Sequence, residues 1–296
     1  MKISRFFLFS IIILIQGCSA PQQAQLDTDQ LIEDLQVLAS DEMEGRHTGT
    51  EGNQKAREYL VQRFEEEGAE PFQGAYTHEF TFTNRSGDEI TGVNVIGEIP
   101  GESDSVIVVT AHYDHLGKTD SLIFNGADDD ASGTAALLAF IDYFRQESPN
   151  HTLVFAAFDA EEMGLRGARA FVEDSVFLDK VVMNINMDMI SNNAVNELYA
   201  SGTYHHPELK PVLEEIETGD INLLFGHDRP EQGSDDWTSA SDHGAFHAKG
   251  KQFIYFGVED HEHYHKATDT FESIPQEFYK KSTQLILNAV LAFDKQ

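Results

Sequence analysis

The sequence predicts a single α/β domain whose central, mostly parallel mixed β-sheet is flanked by helices. Four apolar runs are continuous and rich in β-branched or aromatic residues, which is typical of strands buried on both faces. Helical periodicity separates the first two runs, and alternating strand, helix and strand favour a parallel sheet. The length of 296 residues suits one large domain. The four runs are Val106–Ala111, Leu153–Phe158, Val181–Met187 and Phe253–Phe256.

The chain begins with a segment typical of protein export. Lys2 and Arg5 precede an apolar run, Phe6–Ile15, that is too short to span a bilayer. The run leads into Gln16-Gly17-Cys18, and Ile15–Cys18 resembles a bacterial lipobox, where cleavage leaves the cysteine lipid-modified. The sequence therefore predicts a lipoprotein signal peptide over 1–18 and a lipid anchor through Cys18 in the bacterial cell envelope. The expected location is the periplasm-facing side of a membrane or the outer membrane. An uncleaved hydrophobic anchor is the alternative, and both interpretations place the domain outside the cytoplasm.

The rest of the chain is expected to form one folded unit. Residues 19–27 are polar and fit a tether, and residues 28–296 are expected to form the domain. Apolar residues at helical spacing predict helices, while the polar composition of one long stretch predicts a loop. The predicted helices cover 28–39, 52–67, 131–145 and 275–293, and the predicted loop covers 218–240.

Charge and cysteine content exclude several classes of function. The chain has 20 Lys and Arg residues against 51 Asp and Glu residues, so its formal net charge is −31 and nucleic acid is a poor partner. This acidity is typical of a solvated surface, and it also favours cationic ligands such as peptide N-termini. Because Cys18 is the only cysteine, residues 19–296 contain no catalytic thiol, disulfide or cysteine-ligated zinc site.

Acidic residues and histidines follow three of the predicted strands. The carboxyl ends of parallel strands form the ligand crevice of an open sheet, so we expect these side chains to converge. Crowded carboxylates raise each other's pKa unless a cation neutralises them, which favours a multivalent metal. Singly, each residue could be a capping, turn or surface group, but the joint pattern favours zinc or a neighbouring first-row ion, with enough ligands for two ions. The residues are His112 and Asp114 after the first strand, Asp159, Glu161 and Glu162 after the second, Asp188 after the third, and the triplet Asp128-Asp129-Asp130 before a predicted helix.

Five segments resemble, in the same order, the five motifs of the M28 zinc aminopeptidases. Leu38–Arg46 and Ser241-Asp242-His243 are also similar to segments of this family, so the resemblance covers nearly everything from about residue 30 onward. It implies the phosphorylase/hydrolase-like fold of the zinc aminopeptidases and the removal of N-terminal residues from peptide substrates. The five segments are Thr110–His115, Gly126–Gly133, Ala160–Gly167, Asn186–Met189 and Tyr264–Thr270.

The resemblance also implies a metal ligand set with two zinc ions per chain. Transferred position by position, it makes His112 and Asp188 ligands of one zinc ion. Glu162 and His265 become ligands of the second ion, and Asp129 becomes the bridge between them. The histidines that the resemblance leaves without a role are expected at the surface or in loops, and they are His205, His206, His227, His243, His247, His261 and His263.

Three further residues acquire catalytic roles through the same resemblance. Glu161 would be the general base that takes a proton from a zinc-bound water. Asp114 would orient the ring of His112 through the ring nitrogen that faces away from the metal. Tyr264 matches a position where some relatives place a phenol that hydrogen-bonds the oxyanion.

Two other functions remain open. A glutaminyl-peptide cyclotransferase shares the fold and most of the ligands, but such enzymes usually carry a Trp insertion after the paired Glu and a Trp before the final His. Here Glu162 continues directly into Met163-Gly164, and Tyr264 precedes His265. A metal-free binding module on the same scaffold is the second alternative, since fold does not determine function. The sequence does not indicate the residue preference or the oligomeric state.

Overall fold

The computed structural model describes residues 25–296. The predicted signal peptide, the predicted lipid anchor at Cys18 and residues 19–24 of the predicted tether lie outside the described residues. Within the described range, every helix is too short or too polar to traverse a lipid bilayer.

Eleven strands are present in the described residues, and nine of them form one sheet. All four predicted strands are confirmed, each extended by up to three residues at either end. The strands are β1 (Glu70–Pro71), β2 (Thr77–Thr83), β3 (Glu89–Ile99), β4 (Ser103–His112), β5 (Gly117–Lys118), β6 (Ile123–Phe124), β7 (His151–Phe158), β8 (Val181–Met187), β9 (Glu197–Ser201), β10 (Asn222–Phe225) and β11 (Gln252–Gly257).

The centre of the large sheet is parallel and its two sides are mixed, which confirms the predicted fold class. The strand order is β1-β3-β7-β4-β8-β11-β9-β10, with β2 also paired to β3. β7, β4, β8 and β11 run parallel to one another. β3 joins β7 in the antiparallel direction, as does β9 with β11. The carboxyl ends of the four central strands therefore lie along one edge of the sheet, where the sequence predicts a crevice.

Helices cover both faces of this sheet. The four predicted helices are confirmed within two residues at each end, and four shorter helices are added. The helices are α1 (Thr28–Leu38), α2 (Glu51–Glu66), α3 (Gly133–Phe144), α4 (Arg166–Phe171), α5 (Ser175–Leu178), α6 (Lys210–Glu214), α7 (His243–Ala248) and α8 (Gln276–Asp294). Asp27 caps the start of α1, because its side chain accepts hydrogen bonds from two backbone N–H groups of the first turn.

Successive residues of β4 pack in two different hydrophobic cores, one on each face of the sheet. Ile107 and Val109 face a core that also contains buried residues of α1, α2, α3 and α8. Val106 and Val108 face the opposite core, which is built with residues of α4 and α7. Because successive strand residues point to opposite faces, a continuous apolar run is what a strand covered on both faces requires.

The predicted loop over 218–240 is wrong in part. It contains β10, which pairs in parallel with β9 at the edge of the sheet, and a short 3₁₀ helix, Pro230–Asp235. The residues of β10 are exposed or only half-buried, so this edge strand lacks the apolar signal that identifies the central strands. The remainder of the stretch is irregular, as predicted.

Candidate metal centre

The site lies where the central strands end. His112 is the last residue of β4, Asp188 directly follows β8, and Glu161 and Glu162 lie in the turn after β7. His265 comes from the segment between β11 and α8. The acid triplet lies in a wide turn, Ala127–Ser132, that leads into α3, and all three of its carboxylates are buried. Strand order thus brings together side chains that are up to 153 residues apart in the sequence.

The first group consists of His112, Asp129 and Asp188. The Nε2 atom of His112 lies 3.2 Å from Asp129 Oδ1 and 3.6 Å from Asp188 Oδ1. Its Nδ1 atom lies 3.1 Å from the main-chain oxygen of Asp114. A carbonyl oxygen can only accept a hydrogen bond, so Nδ1 donates to it and Nε2 faces the two carboxylates. One oxygen or nitrogen from each residue lies close enough to the others to hold a single ion.

The second group shares Asp129 with the first. His265 Nε2 lies 3.1 Å from Asp129 Oδ2 and 3.5 Å from Glu162 Oε1. A further histidine, His115, also enters this group, with its Nδ1 atom 2.9 Å from Glu162 Oε1. The sequence analysis quoted His115 within a motif but gave it no role. His115 is fully buried, whereas the side chain of His265 is 40% exposed and faces the opening of the site.

Several buried polar atoms at this centre have no hydrogen-bond partner among the described residues. They are His112 Nε2, both ring nitrogens of His115, and Glu162 Oε1. A buried donor or acceptor without a partner costs about 1–3 kcal/mol, and a bound cation would remove that cost for lone pairs. Imidazole nitrogens and carboxylate oxygens without thiolates suit a catalytic zinc site. The donor set and the unpartnered atoms therefore fit the metal that the sequence predicts.

The electrostatics separate the candidate ligands from the candidate base. Burial opposes ionisation of Asp129, but three nearby imidazoles outweigh it and hold the pKa of this carboxyl well below its usual value. Burial likewise opposes ionisation of Glu162, and the adjacent histidines lower its pKa to about 2. Burial raises the pKa of Glu161 well above its usual value, and the charges of Asp242 and Asp188 act in the same direction. The pKa of Glu161 is thus raised and that of Glu162 is lowered, as expected for a general base beside a metal ligand.

The other two acids of the triplet, Asp128 and Asp130, accept hydrogen bonds from backbone N–H groups. Asp130 accepts hydrogen bonds from the N–H groups of His112, Gly133 and Met189. Asp128 accepts from the N–H and hydroxyl of Ser191. Asp128 also contacts His261, whose Nε2 lies 2.9 Å from Asp128 Oδ2. Only the middle acid, Asp129, directs its carboxylate at His112 and His265. The three acids are chemically identical, and the direction of each side chain determines which one faces the candidate metal ligands.

The remaining sequence-predicted site residues surround the two groups. Asp114 lies 3.6 Å from His112 Nδ1 through its carboxylate, which also accepts hydrogen bonds from the N–H groups of Glu161 and Glu162. It thereby links the end of β4 to the turn that carries the paired glutamates. The ring of Tyr264 stacks on that of His265, with 4.0 Å between the ring centroids, and Tyr264 and Glu161 both line the cavity.

Two histidines expected at the surface or in loops are buried, and one of them, His243, lies in a helix, so the expectation is wrong for it. His243 is fully buried in α7, where its ring stacks on Tyr255 and its Nε2 donates a hydrogen bond to the Trp237 carbonyl at 2.7 Å. Burial lowers the pKa of His243 to about 3, so a neutral ring can pack in the interior. His227 is 6% exposed and lies against the face of Trp237. The other five histidines of that set are partly exposed.

His227 belongs to a third group of possible metal ligands, with Asp235 and Glu259. Its Nδ1 atom lies 3.2 Å from Asp235 Oδ1, and its Nε2 atom lies 3.1 Å from Glu259 Oε1. The two carboxylates therefore engage opposite nitrogens of one ring, and neither nitrogen is left without a partner. This group connects two loops by ion pairs.

Sequence reasoning also missed two buried charged residues near the centre. Asp242 is fully buried, and burial raises its pKa to about 8, with no hydrogen-bond partner for its carboxylate among the described residues. Arg46 is fully buried beneath the loops that carry His112 and Asp129. Both lie in segments that the sequence analysis recognised as similar to the family. Composition alone offers no signal for them, because a buried charge becomes evident only when its surroundings are known.

Comparison with known proteins identifies the family. Residues 94–290, more than half of the chain, match the model of peptidase family M28. Aminopeptidase YwaD of Bacillus subtilis is 28% identical over 225 residues, which cover 71% of this chain and 45% of that protein. The chain spans less than half the length of the curated relatives that it matches.

Solved structures show the same fold. A zinc aminopeptidase from Bacillus subtilis superimposes with a TM-score of 0.74 at 17% identity, covering 91% of this chain and 95% of that chain. A glutaminyl cyclase from Fimbriiglobus ruber superimposes with a TM-score of 0.71 at 18% identity, covering 93% of this chain and 99% of that chain. At these identities the similarity concerns the fold alone, and the assignment to a family comes from the sequence match. The chain belongs to peptidase family M28.

Proposed function

We propose that this protein is a two-zinc aminopeptidase that removes N-terminal residues from peptides. The observation that carries the proposal is the position of Asp129 between two histidines. One of its oxygens lies 3.2 Å from His112 Nε2, and the other lies 3.1 Å from His265 Nε2. A carboxylate placed in this way can bridge two ions that are about 3.5–4 Å apart. Membership in the M28 family and the similarity to an aminopeptidase support the same reaction class.

The proposed ligands divide between the two ions. His112 and Asp188 would hold one ion, Glu162 and His265 would hold the other, and Asp129 would serve both. When bound, the zinc ions would lower the pKa of a water molecule and polarise the carbonyl of the scissile peptide bond. Five ligands with three negative charges would then be matched by four positive charges, which removes the repulsion among the carboxylates.

Glu161 and Tyr264 would carry out the proton transfers and charge stabilisation. Glu161 would take a proton from the attacking water and return it to the leaving amine. Its raised pKa suits this role, since a more basic carboxylate accepts a proton more readily. The hydroxyl of Tyr264 would donate a hydrogen bond to the carbonyl oxygen as negative charge develops there.

An apolar recess beside the metal ligands would receive the first side chain of the peptide. The cavity at the site has a volume of about 110 Å³, and its walls include Met189, Trp237, Ala240, Tyr255 and Val258. Asp260, which is not a proposed metal ligand, lines the same cavity and would attract the peptide's terminal ammonium group. A free N-terminus with an apolar first residue therefore matches this lining.

A glutaminyl-peptide cyclotransferase is the second candidate function. The observation in its favour is the fold shared with the glutaminyl cyclase from Fimbriiglobus ruber. That reaction requires no attacking water, because the terminal amine of the peptide attacks its own glutamine side chain. The uninterrupted Glu162-Met163-Gly164 segment and Tyr264 before His265 favour the aminopeptidase.

We also propose that the protein is exported and held at the bacterial cell envelope by lipid on Cys18. The lipobox-like segment at Ile15–Cys18 supports this proposal. Mass spectrometry of the N-terminal peptide from purified membranes should show a diacylated Cys18. A Cys18→Ala variant should lose the lipid and move to the soluble fraction, and an unmodified Cys18 in the wild type would contradict the proposal.

The proposed activity can be tested with a panel of aminoacyl p-nitroanilides. We expect release of p-nitroaniline that a chelator abolishes and added zinc restores, with higher rates for apolar than for acidic first residues. Glutaminyl peptides in the same assay should be hydrolysed and should not cyclise. Predominant pyroglutamate formation would favour the cyclotransferase, and a purified protein that binds no zinc would favour a binding module.

A further inference from the structure

Arg46 is the bulkiest of the fully buried side chains among the described residues. It ends a short 3₁₀ helix, Asp41–Arg46, and its guanidinium lies beneath the metal centre. No carboxylate oxygen among residues 25–296 lies within ion-pair distance of it, although several buried acids are close enough to favour its charged form against burial. A buried guanidinium without an ion pair is costly unless its N–H groups are hydrogen-bonded.

The N–H groups of Arg46 bind main-chain carbonyls from three separate segments. Nε donates to Tyr113 O at 2.7 Å, and Nη2 donates to Gly126 O at 2.9 Å. Nη1 donates to both Leu38 O and Asn125 O. One side chain thus joins the end of α1, the end of β4 and the turn that carries the acid triplet.

Two of these carbonyls belong to the segments that present the proposed ligands. Tyr113 directly follows His112, and Gly126 directly precedes the wide turn that contains Asp129. The guanidinium therefore fixes the distance between the backbones that carry the shared carboxylate and the first histidine. The arrangement uses the planar, forked geometry of Arg, which a Lys side chain with a single ammonium cannot reproduce.

The backbone before Arg46 is adapted to aim this side chain inward. Gly45 has a φ of +68°, and a Cβ atom there would lie 2.3 Å from Phe124 O and 2.4 Å from Gly117 O. Only glycine fits this position, because any side chain would collide with backbone atoms. Arg46 itself has a φ of +51°, which is uncommon for a residue with a side chain. Glu44 has a φ of +52° as well, so three successive residues adopt left-handed conformations where the guanidinium enters the interior.

We propose that Arg46 is a positioning residue for the metal centre, acting through the backbones that carry His112 and Asp129. This inference rests on the proposed function, since it assumes that these residues bind zinc. Supporting residues around a metal site typically change metal affinity about 10- to 100-fold when they are replaced. Arg46 therefore sets the zinc affinity of the site, in addition to its contribution to folding.

The test compares Arg46→Lys with Arg63→Lys, a matched control. Arg63 is also largely buried, but it binds Asp34 and Glu67 in the helical layer and touches no ligand-bearing segment. Zinc affinity would be measured by competition with a chromophoric chelator, at a temperature where circular dichroism shows each variant folded without zinc. We expect Arg46→Lys to weaken zinc binding about 10- to 100-fold. Arg63→Lys should keep the wild-type zinc affinity, while the melting temperature of the zinc-free protein falls for both variants.

The possible outcomes distinguish this inference from the proposed function. If the wild type binds zinc and Arg46→Lys binds it equally well, Arg46 serves the fold alone and the inference is wrong. If the wild type binds no zinc, the proposed function fails and the inference fails with it. Arg46→Gln, which keeps donors without charge, provides a second variant if Arg46→Lys does not fold. Failure of both variants to fold at any temperature would also assign Arg46 to folding and overturn the inference.

Discussion

Asp129 is the residue on which the proposed metal pair depends, because it is the one carboxylate directed at both His112 and His265. Its neighbours Asp128 and Asp130 have the same chemistry, but Asp130 binds backbone groups and Asp128 binds Ser191 and His261 instead. Local side-chain direction therefore decides which acid of the triplet is available to a metal. The electrostatics agree, since the surrounding imidazoles keep the pKa of Asp129 well below its usual value against the effect of burial.

Glu161→Gln tests the proposed general base. Glutamine keeps the size of the side chain but cannot accept a proton, so kcat should fall by about 100-fold or more. Zinc stoichiometry and melting temperature should stay at wild-type values, because Glu161 is not a proposed ligand. Steady-state kinetics on a p-nitroanilide, with zinc content determined on the same preparation, provides the measurement. Activity within a few-fold of the wild type would assign the base role elsewhere.

Sequence reasoning named residues that carry a motif and missed residues that are defined by their surroundings. The structure brings all five predicted ligands to one crevice, and the zinc count and each role remain proposals. His115, Asp242 and Arg46 were missed, because their importance comes from burial that no local pattern reveals. His243 was expected at the surface or in a loop for the same reason, since an isolated histidine gives no sign that aromatic rings will enclose it.

At the level of elements, the central strands and long helices were predictable because their burial is complete and regular. β4 and β7 are buried on both faces over most of their length, and α8 repeats its apolar residues at helical spacing. β2 was not predicted, because it contains only two apolar residues, Phe80 and Phe82, and both are only half-buried at the side of the sheet. Edge strands and short helices depend on tertiary contacts more than on sequence pattern.

The contact between α1 and α2 makes a prediction about stability. Asp34 is fully buried in α1 and accepts hydrogen bonds from the Tyr59 hydroxyl and from Arg63, both in α2. Replacing Asp34 with Ala would remove buried hydrogen bonds to Tyr59 and Arg63 while Arg63 keeps Glu67, which costs about 1–3 kcal/mol. Urea unfolding followed by circular dichroism should show this loss.

Glu66→Ala is the matched control for that prediction. Glu66 also contacts Arg63, at 3.2 Å, but its side chain is 49% exposed, so its loss should cost less than about 1 kcal/mol. Zinc affinity should remain unchanged in both variants, since neither residue touches the metal centre. Equal destabilisation by the two replacements would show that burial does not determine the strength of these contacts.

For the whole molecule, metal binding and folding are expected to be coupled. Zinc that binds only the folded state stabilises it by about 2.7 kcal/mol per site when free zinc exceeds the dissociation constant 100-fold. In a domain of this size each kcal/mol corresponds to a shift of roughly 2–4 °C in melting temperature. Removing zinc with a chelator should therefore lower the melting temperature by roughly 5 °C or more.

Differential scanning calorimetry with and without the chelator measures this effect, and Asp129→Ala provides the control. Because that variant lacks the proposed bridge, its melting temperature should respond much less to the chelator than that of the wild type. An equal response in both proteins would place the stabilising ions outside the proposed centre.

Anomalous diffraction at the zinc edge, from crystals of the zinc-loaded protein, tests the central claim most directly. We expect two peaks about 3.5–4 Å apart, on either side of the Asp129 carboxylate. One peak should lie beside His112 and Asp188, and the other beside Glu162 and His265. A single peak, or peaks that do not contact Asp129, would contradict the proposed two-zinc centre.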